Sequence, residues 1–205
     1  ADAGVTIAWQ EPLSALLATR SQAALDRQVQ EEFELLARER RRICAAARPS
    51  RTALLRLAAE RYQPRLRRGR GIGRIAMPSL GRRYALVHGT DTSSLRKGPA
   101  HFPDTPMPGQ GGTVGVAGHR TIYMAPFRTT DRLRPGDPVV ITMPYGRFTY
   151  RVRQTRIVRP DAVWVSGGEM QPIAASARAS VANTTIRFAA QRRLDLARVA
   201  RLHNP

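Results

Sequence analysis

The stretch from Gly109 to Phe127, entered from Pro108 and reading GQGGTVGVAGHRTIYMAPF, constrains the fold more than any other part of the chain. A Pro-Gly turn and the glycine pair Gly111 and Gly112 open it. The apolar run Thr113 to Ala117 follows, and Gly118 and His119 close it. A short apolar run bounded by glycines predicts a buried strand. A strand ending in Gly-His delivers an imidazole at its tip, where rigid scaffolds carry reactive groups, and imidazole exchanges protons near neutral pH. His119 is therefore the first candidate for chemistry. The competing reading is a strand-end histidine bonded to a backbone carbonyl.

The flanking segments divide into two textures. Leu13 to about Ala47 reads as a helix, with Leu25, Val29, Phe33 and Leu36 recurring on one stripe. Pro49-Ser50 breaks it, and Ser50 is placed to cap a second helix over Thr52 to Tyr62. Pro64 ends that helix, and the basic run Arg65 to Gly71 reads as a linker. Short strands then follow at Gly73 to Met77, Tyr84 to Val87, Thr113 to Ala117 and Pro138 to Met143. Beyond the Pro144-Tyr145-Gly146 turn, Phe148, Tyr150 and Val152 alternate with polar residues in a strand over Arg147 to Val158. Closely spaced strands without intervening βαβ units predict an antiparallel sandwich or barrel. Asp104 to Gly112 is a loop, either a structural connection or one wall of a groove beside the histidine.

Charge and cysteine content narrow the function classes. Lys and Arg number 34 against 15 Asp and Glu, a net charge of +19, and Lys97 is the sole lysine. Such a charge attracts polyanions: anionic lipid headgroups, acidic wall polymers or nucleic acid. For nucleic acid only the charge speaks, since no zinc-finger spacing, RNA-binding aromatic motif or clear helix-turn-helix is present. The lone cysteine, Cys44, lies near the end of the first helix and excludes an internal disulfide framework and a cysteine-based metal site. No apolar run reaches the roughly 18 residues of a membrane span.

The run PGQGGTVGVAGHR resembles the histidine motif of the sortases, the cysteine transpeptidases of bacterial surfaces. His88-Gly89-Thr90 and Leu95-Arg96-Lys97-Gly98-Pro99 before it match as well, as do Ala125-Pro126-Phe127, Leu133-Arg134-Pro135-Gly136-Asp137 and Val163-Trp164-Val165 after it. Together these are most similar to the class E sortases of high-GC Gram-positive bacteria, from about Gly71 to Val165. The resemblance implies a mainly β fold, a closed antiparallel β-barrel of about eight strands over residues 71–205. Residues 1–70 then form an N-terminal helical segment and basic linker. In class E sortases a Trp-Gln-Glu-Pro run follows a membrane helix, and Trp9-Gln10-Glu11-Pro12 stands here. An anchor preceding residue 1 and a place on the extracytoplasmic face of the membrane are the corresponding expectations. The implied partners are the sorting-signal peptide of surface proteins and an amine acceptor of the cell wall or pilin. No cofactor and no metal are implied.

A transpeptidase needs a nucleophile, a proton carrier and a charge stabiliser. A cysteine beside a histidine becomes nucleophilic because imidazole favours the thiolate, and an arginine can orient the substrate or stabilise the oxyanion. Sortases supply a histidine after one strand, a cysteine ending a Leu-x-x-x-Cys strand, and an arginine about nine residues later. His119 matches the first, with Tyr123, Thr121 and Arg120 expected along the substrate groove. The family's Thr-Cys-x-Pro-Arg-Phe-Ser-Ala-Ala-Gln-Arg-Leu run has its nearest counterpart in Asn183 to Leu194. Aligning Arg187-Phe188 puts Thr184 at the cysteine position and Arg193 at the arginine. Aligning Ala-Ala-Gln-Arg instead gives Asn183 and Arg192. A third register, counted from Trp164, puts Arg178 or Ala179 at the cysteine and Arg187 at the arginine. All three lack a thiol. A threonine hydroxyl is essentially never ionised near neutral pH, and an internal threonine lacks the N-terminal amine that activates catalytic threonines. Two readings stay open: a sortase-family protein with impaired transpeptidation, and a non-catalytic relative that binds a surface peptide or wall polymer in the same groove.

Overall fold

The structure is a computed structural model that describes residues 3–46, 50–155 and 183–189. Helix α1 (Ala3–Ala46) is followed by α2 (Arg51–Tyr62), then by strands β1 (Gly71–Met77) and β2 (Arg82–His88). A short helix α3 (Thr92–Leu95) leads to β3 (Ala100–His101) and β4 (Thr113–His119), and β5 (Pro138–Met143), β6 (Gly146–Arg151) and β7 (Asn183–Ala189) complete the sheet. The seven described strands form one sheet in the order β6-β5-β1-β2-β3-β4-β7. Every pair is antiparallel except β2–β3, which runs parallel.

The expected mainly β fold with an N-terminal helix is what the chain adopts. One core gathers Ile75, Leu86, Val116, Ile141 and Phe148 from strands across the sheet, together with Leu55, Ala59 and Tyr62 of α2. A flat sheet could not bring β4 and β6 onto one cluster, so the sheet is curled around it as a half-barrel. Closure of the barrel and an eighth strand lie outside what the described residues contain. The strand expected over Arg147 to Val158 ends at Arg151. Val152 there turns to exchange hydrogen bonds with Gly136 and Asp137, and residues 156–158 lie outside the described residues.

Both helices form where the apolar stripe and the cap predict them. The Ser50 side chain accepts from Ala53 N at 3.3 Å, the expected N-cap of α2. Helix α1 starts earlier than expected, at Ala3, and carries Pro12 within it at the loss of one backbone hydrogen bond. Its stripe is used against the sheet: Leu25 and Val29 are buried, and Leu36 packs partly on the large core. The Arg74 guanidinium lies 5.4 Å from the centre of the Phe33 ring and binds Asp26 at 2.8 Å. Nor is the basic run after α2 a free tether. Gly69 N donates to His88 O at 2.8 Å, His88 N donates to Arg70 O at 2.9 Å, and Lys97 Nζ donates to Gly69 O at 3.0 Å.

A second, smaller core fills the other side of β2 and β4. Leu25 of α1, Ala85, Val87, Leu95, Ala100, Phe102 and Ala117 make it up. Ala117 and His119 are two apart on β4 and share a face, so this smaller core is the floor beneath His119.

Candidate functional site

His119 is the last residue of β4, as the Gly-His pattern predicts. Gly118 fixes the approach: a Cβ there would lie 2.7–3.1 Å from the Phe127 ring, and Phe127 is fully buried. Phe127 N also donates to His119 O at 3.1 Å, closing residues 119–127 into a loop pinned at both ends. Further ties hold it. Arg120 pairs with Asp131 at 3.2 Å, and Arg128 Nη2 donates to Thr121 O at 3.3 Å.

His119 is 6% exposed, and among the described residues neither ring nitrogen has a hydrogen-bond partner. No carbonyl of the described residues makes the bond of the competing reading. Burial first, and the positive charge of Arg96 second, lower the His119 pKa below the ordinary histidine value. A neutral imidazole at pH 7 with a bare nitrogen can take a proton from a thiol or hydroxyl brought against it. The Tyr123 ring covers it, centroid to centroid 5.0 Å at 52°. The Arg96 guanidinium lies 5.5 Å from the centre of the Tyr123 ring.

Arg96 is positioned by a cap. Asp91 precedes α3 and its carboxylate accepts from Ser94 N at 3.0 Å, from Ser93 Oγ at 2.6 Å and from Ser94 Oγ at 2.7 Å. Those hydroxyl bonds, chiefly, hold Asp91 far below the usual carboxylate range, so the cap stays ionised. Sequence reasoning quoted Arg96 as part of a motif and missed its contact with Tyr123. No local pattern points from one to the other.

One pair of imidazoles lies elsewhere in the sheet. His88 and His101 stack at 5.6 Å with their Nδ1 atoms 3.4 Å apart. The Thr105 hydroxyl donates to Phe102 O at 2.8 Å and accepts from Gly115 N at 3.1 Å. Its one proton is spent, and Pro106 O can only accept, so His101 Nε2 carries the hydrogen toward both, at 3.2 and 3.3 Å. His101 Nδ1 is then bare and accepts from His88 Nδ1. Burial depresses His101 to a pKa of about 4. This pair joins the ends of β2 and β3.

Of the expected groove residues, Tyr123 touches His119, Arg120 is engaged with Asp131, and Thr121 is exposed beside them. The Asp104–Gly112 loop is tied elsewhere: Met107 is buried in the large core, Tyr145 Oη donates to Pro108 O at 2.8 Å, and Gln110 bonds Gln63 at 2.8 Å. Strand β7 pairs antiparallel with β4 along its whole length, with Asn183 opposite His119 and Thr184 opposite Gly118. Arg187 is opposite Gly115. Arg192, Arg193, Trp164, Arg178 and Ala179 lie outside the described residues. Cys44 belongs to α1. Among the described residues no cluster of His, Cys, Asp or Glu could hold a metal ion, and no helix is long and apolar enough to cross a membrane.

A family model described as Sortase domain matches residues 75–188. The chain is 34% identical over 93 residues to Sortase D of Bacillus subtilis, covering 45% of this chain and 46% of that protein. It is 30% identical over 91 residues to Sortase SrtE1 of Streptomyces coelicolor, covering 41% of this chain and 26% of that protein. The chain therefore matches less than half the length of these curated relatives. Among solved structures it is similar to the Clostridium perfringens Sortase D5 transpeptidase, at 28% identity and a TM-score of 0.48 over 53% of this chain and 68% of that one. Sortase E of Streptomyces avermitilis is similar at 32% identity and a TM-score of 0.44, over 48% and 67%. The family match spans more than half of the chain, from β1 through the His119 strand to β7, and on that match the chain belongs to the sortase family.

Proposed function

We propose that this protein is a cell-surface sortase whose groove beside His119 takes the sorting-signal peptide of a surface protein, and that its transfer of that peptide to an amine acceptor of the wall or pilin is impaired. His119 serves as the proton carrier, and Arg192 or Arg193 as the oxyanion stabiliser. Asn183 or Thr184 stands where the family has its cysteine. The observation that carries this reading is the β4–β7 register, with Asn183 across from His119 and Thr184 one position away. Family membership supplies the reaction class, and the buried neutral imidazole with no partner among the described residues suits a base awaiting a substrate. The impairment follows from protonation. A perturbed thiol forms a thiolate at neutral pH and an alcohol does not, so the covalent step loses its nucleophile. The net charge of +19 fits a place against anionic lipid or wall polymer, reached by an anchor preceding residue 1.

The alternative reading, a non-catalytic relative that holds a peptide or wall polymer in the same groove, is favoured by one observation. The only thiol in the 205 residues, Cys44, lies on α1 rather than on a strand beside His119. Incubation with a sorting-signal peptide and an amine acceptor separates the two. Slow product supports the impaired transpeptidase, and saturable binding without product supports the relative. Absence of both product and binding would sink the groove assignment altogether.

A further inference from the structure

Arg96, Tyr123 and His119 come from three different segments, yet they form one chain of contacts. Arg96 follows α3 and its guanidinium lies 5.5 Å from the Tyr123 ring centre, while that ring lies 5.0 Å from the His119 ring. The backbone under the tyrosine is unusual. Tyr123, Met124 and Ala125 take φ values of 50°, 64° and 41°, three successive left-handed residues, none of them glycine. Such conformations are costly and persist only when surrounding structure determines them. Here it does: Ala125 N donates to Ile122 O, Arg128 N to Ala125 O and Phe127 N to His119 O, and Ala125 and Phe127 are buried. The loop therefore spends backbone energy to turn one half-buried aromatic ring onto one histidine. A ring that only filled space could be supplied without that strain.

Resting on the reading of His119 as the proton carrier, we propose that Tyr123 and Arg96 are its positioning residues. The ring of Tyr123, steadied by the Arg96 guanidinium, fixes the imidazole in one orientation and shields its unpartnered nitrogens from water. A peptide brought to the end of β4 then meets a desolvated base. The tilted ring contact needs an aromatic ring and no hydroxyl, so phenylalanine suffices at 123. The guanidinium contributes both an attraction to the ring face and a charge that opposes protonation of the imidazole. Arg96 is the charged group acting on His119, and Tyr123 is the titratable group in ring contact with it.

The test is a proton NMR titration of the His119 ring, assigned by its loss in His119→Asn, together with the rate of its carbethoxylation by diethylpyrocarbonate. Neither readout requires turnover, so both work on an inert chain. Tyr123→Phe is expected to match the unaltered protein. Tyr123→Ala is expected to raise the His119 pKa and to speed carbethoxylation severalfold. Arg96→Gln raises the pKa as well, and Arg96→Lys, which keeps the charge, raises it less. Unchanged His101 signals in each variant show that the fold is intact. If Tyr123→Ala and Arg96→Gln both leave the titration and the reaction rate of His119 unaltered, the positioning role is overturned. It is equally overturned if Tyr123→Phe behaves as Tyr123→Ala does. A titration that shifts as expected while sorting-signal peptide leaves the His119 signal unmoved would instead refute the groove reading and keep the positioning one.

Discussion

The side-chain amide of Gln22 serves Ala85 as a strand partner would. Gln22 Oε1 accepts from Ala85 N at 2.7 Å, and Gln22 Nε2 donates to Ala85 O at 3.4 Å and to Lys97 O at 2.6 Å. Strand β3 is only two residues long and pairs β2 at Val87 and His88, so among the described residues no strand lies beside the β2 edge upstream. Ala85 is fully buried and Gln22 is 7% exposed, so these backbone groups have no recourse to water.

Gln22→Ala should therefore destabilise the fold by about 1–3 kcal/mol, the cost of leaving buried backbone groups unsatisfied. Urea unfolding followed by tryptophan fluorescence measures it. Leu35, exposed on the same helix, is the control: Leu35→Ala should change the midpoint little. Equal effects of the two substitutions would mean that α1 is not held through Gln22.

Gly118→Ala should cost about 1–3 kcal/mol, because its Cβ meets the Phe127 ring in a core that has no room for it. Shrinking the ring in Gly118→Ala/Phe127→Leu should return part of the loss. Thermal unfolding of the three variants checks this, and a double variant worse than the sum of the singles would contradict the steric account.

Acid should weaken the fold through His101. Its pKa is near 4 when folded, against an ordinary value of 6.5, because burial disfavours the charged form. The unfolded chain thus binds more protons between these values, and stability is complete above pH 6.5 and lost progressively as pH falls toward 4. By pH 5 the loss from this one group is about 2 kcal/mol. His88 and His119, also lowered by burial, act with the same sign. Urea midpoints measured from pH 7.5 to 4.5 should trace the decline, and His101→Gln should flatten it.

Much of the fold is legible in the sequence, because burial leaves a periodic mark. The α1 stripe, the Ser50 cap and the strands at β1, β2, β4 and β5 follow from apolar spacing and punctuation by glycine and proline. Strand β3 leaves no mark at two residues, and its parallel pairing with β2 depends on the α3 crossover rather than on its own composition. Strand β7 is polar and threonine-rich, so only its pairing with β4 identifies it. At the site, His119 stands out because glycine and histidine end an apolar run. Tyr123 shows only as a neighbour in sequence. Arg96 and the His88–His101 pair are legible only in three dimensions, since nothing in a one-dimensional pattern brings their segments together.

Transpeptidation should run at the limit of detection in the unaltered chain, with Asn183→Cys, at the position opposite His119, restoring more of it than Thr184→Cys, at the position opposite Gly118. Loss of a catalytic nucleophile typically lowers turnover by about 10⁴-fold or more. Alkylating Cys44 should leave any residual rate as it was, because α1 bears that thiol and β7 is the strand beside His119. Product analysis by mass spectrometry, before and after alkylation, decides the point. A robust rate abolished by alkylation would place the nucleophile on the helix.

The order of strands in the sheet also sets the pace at which the chain can acquire its shape. Ile75 must find Ile141, and Val116 must find Ile186, each across a long intervening stretch. Closing such loops costs entropy before any contact returns it, so refolding should be far slower than in a meander of hairpins. During synthesis the β1–β2 hairpin leaves the ribosome with the flank of β1 bare, and it stays bare until β5 has been made. For that interval the nascent chain carries an open template for pairing with other chains, a hazard that a shielding chaperone or rapid export would relieve.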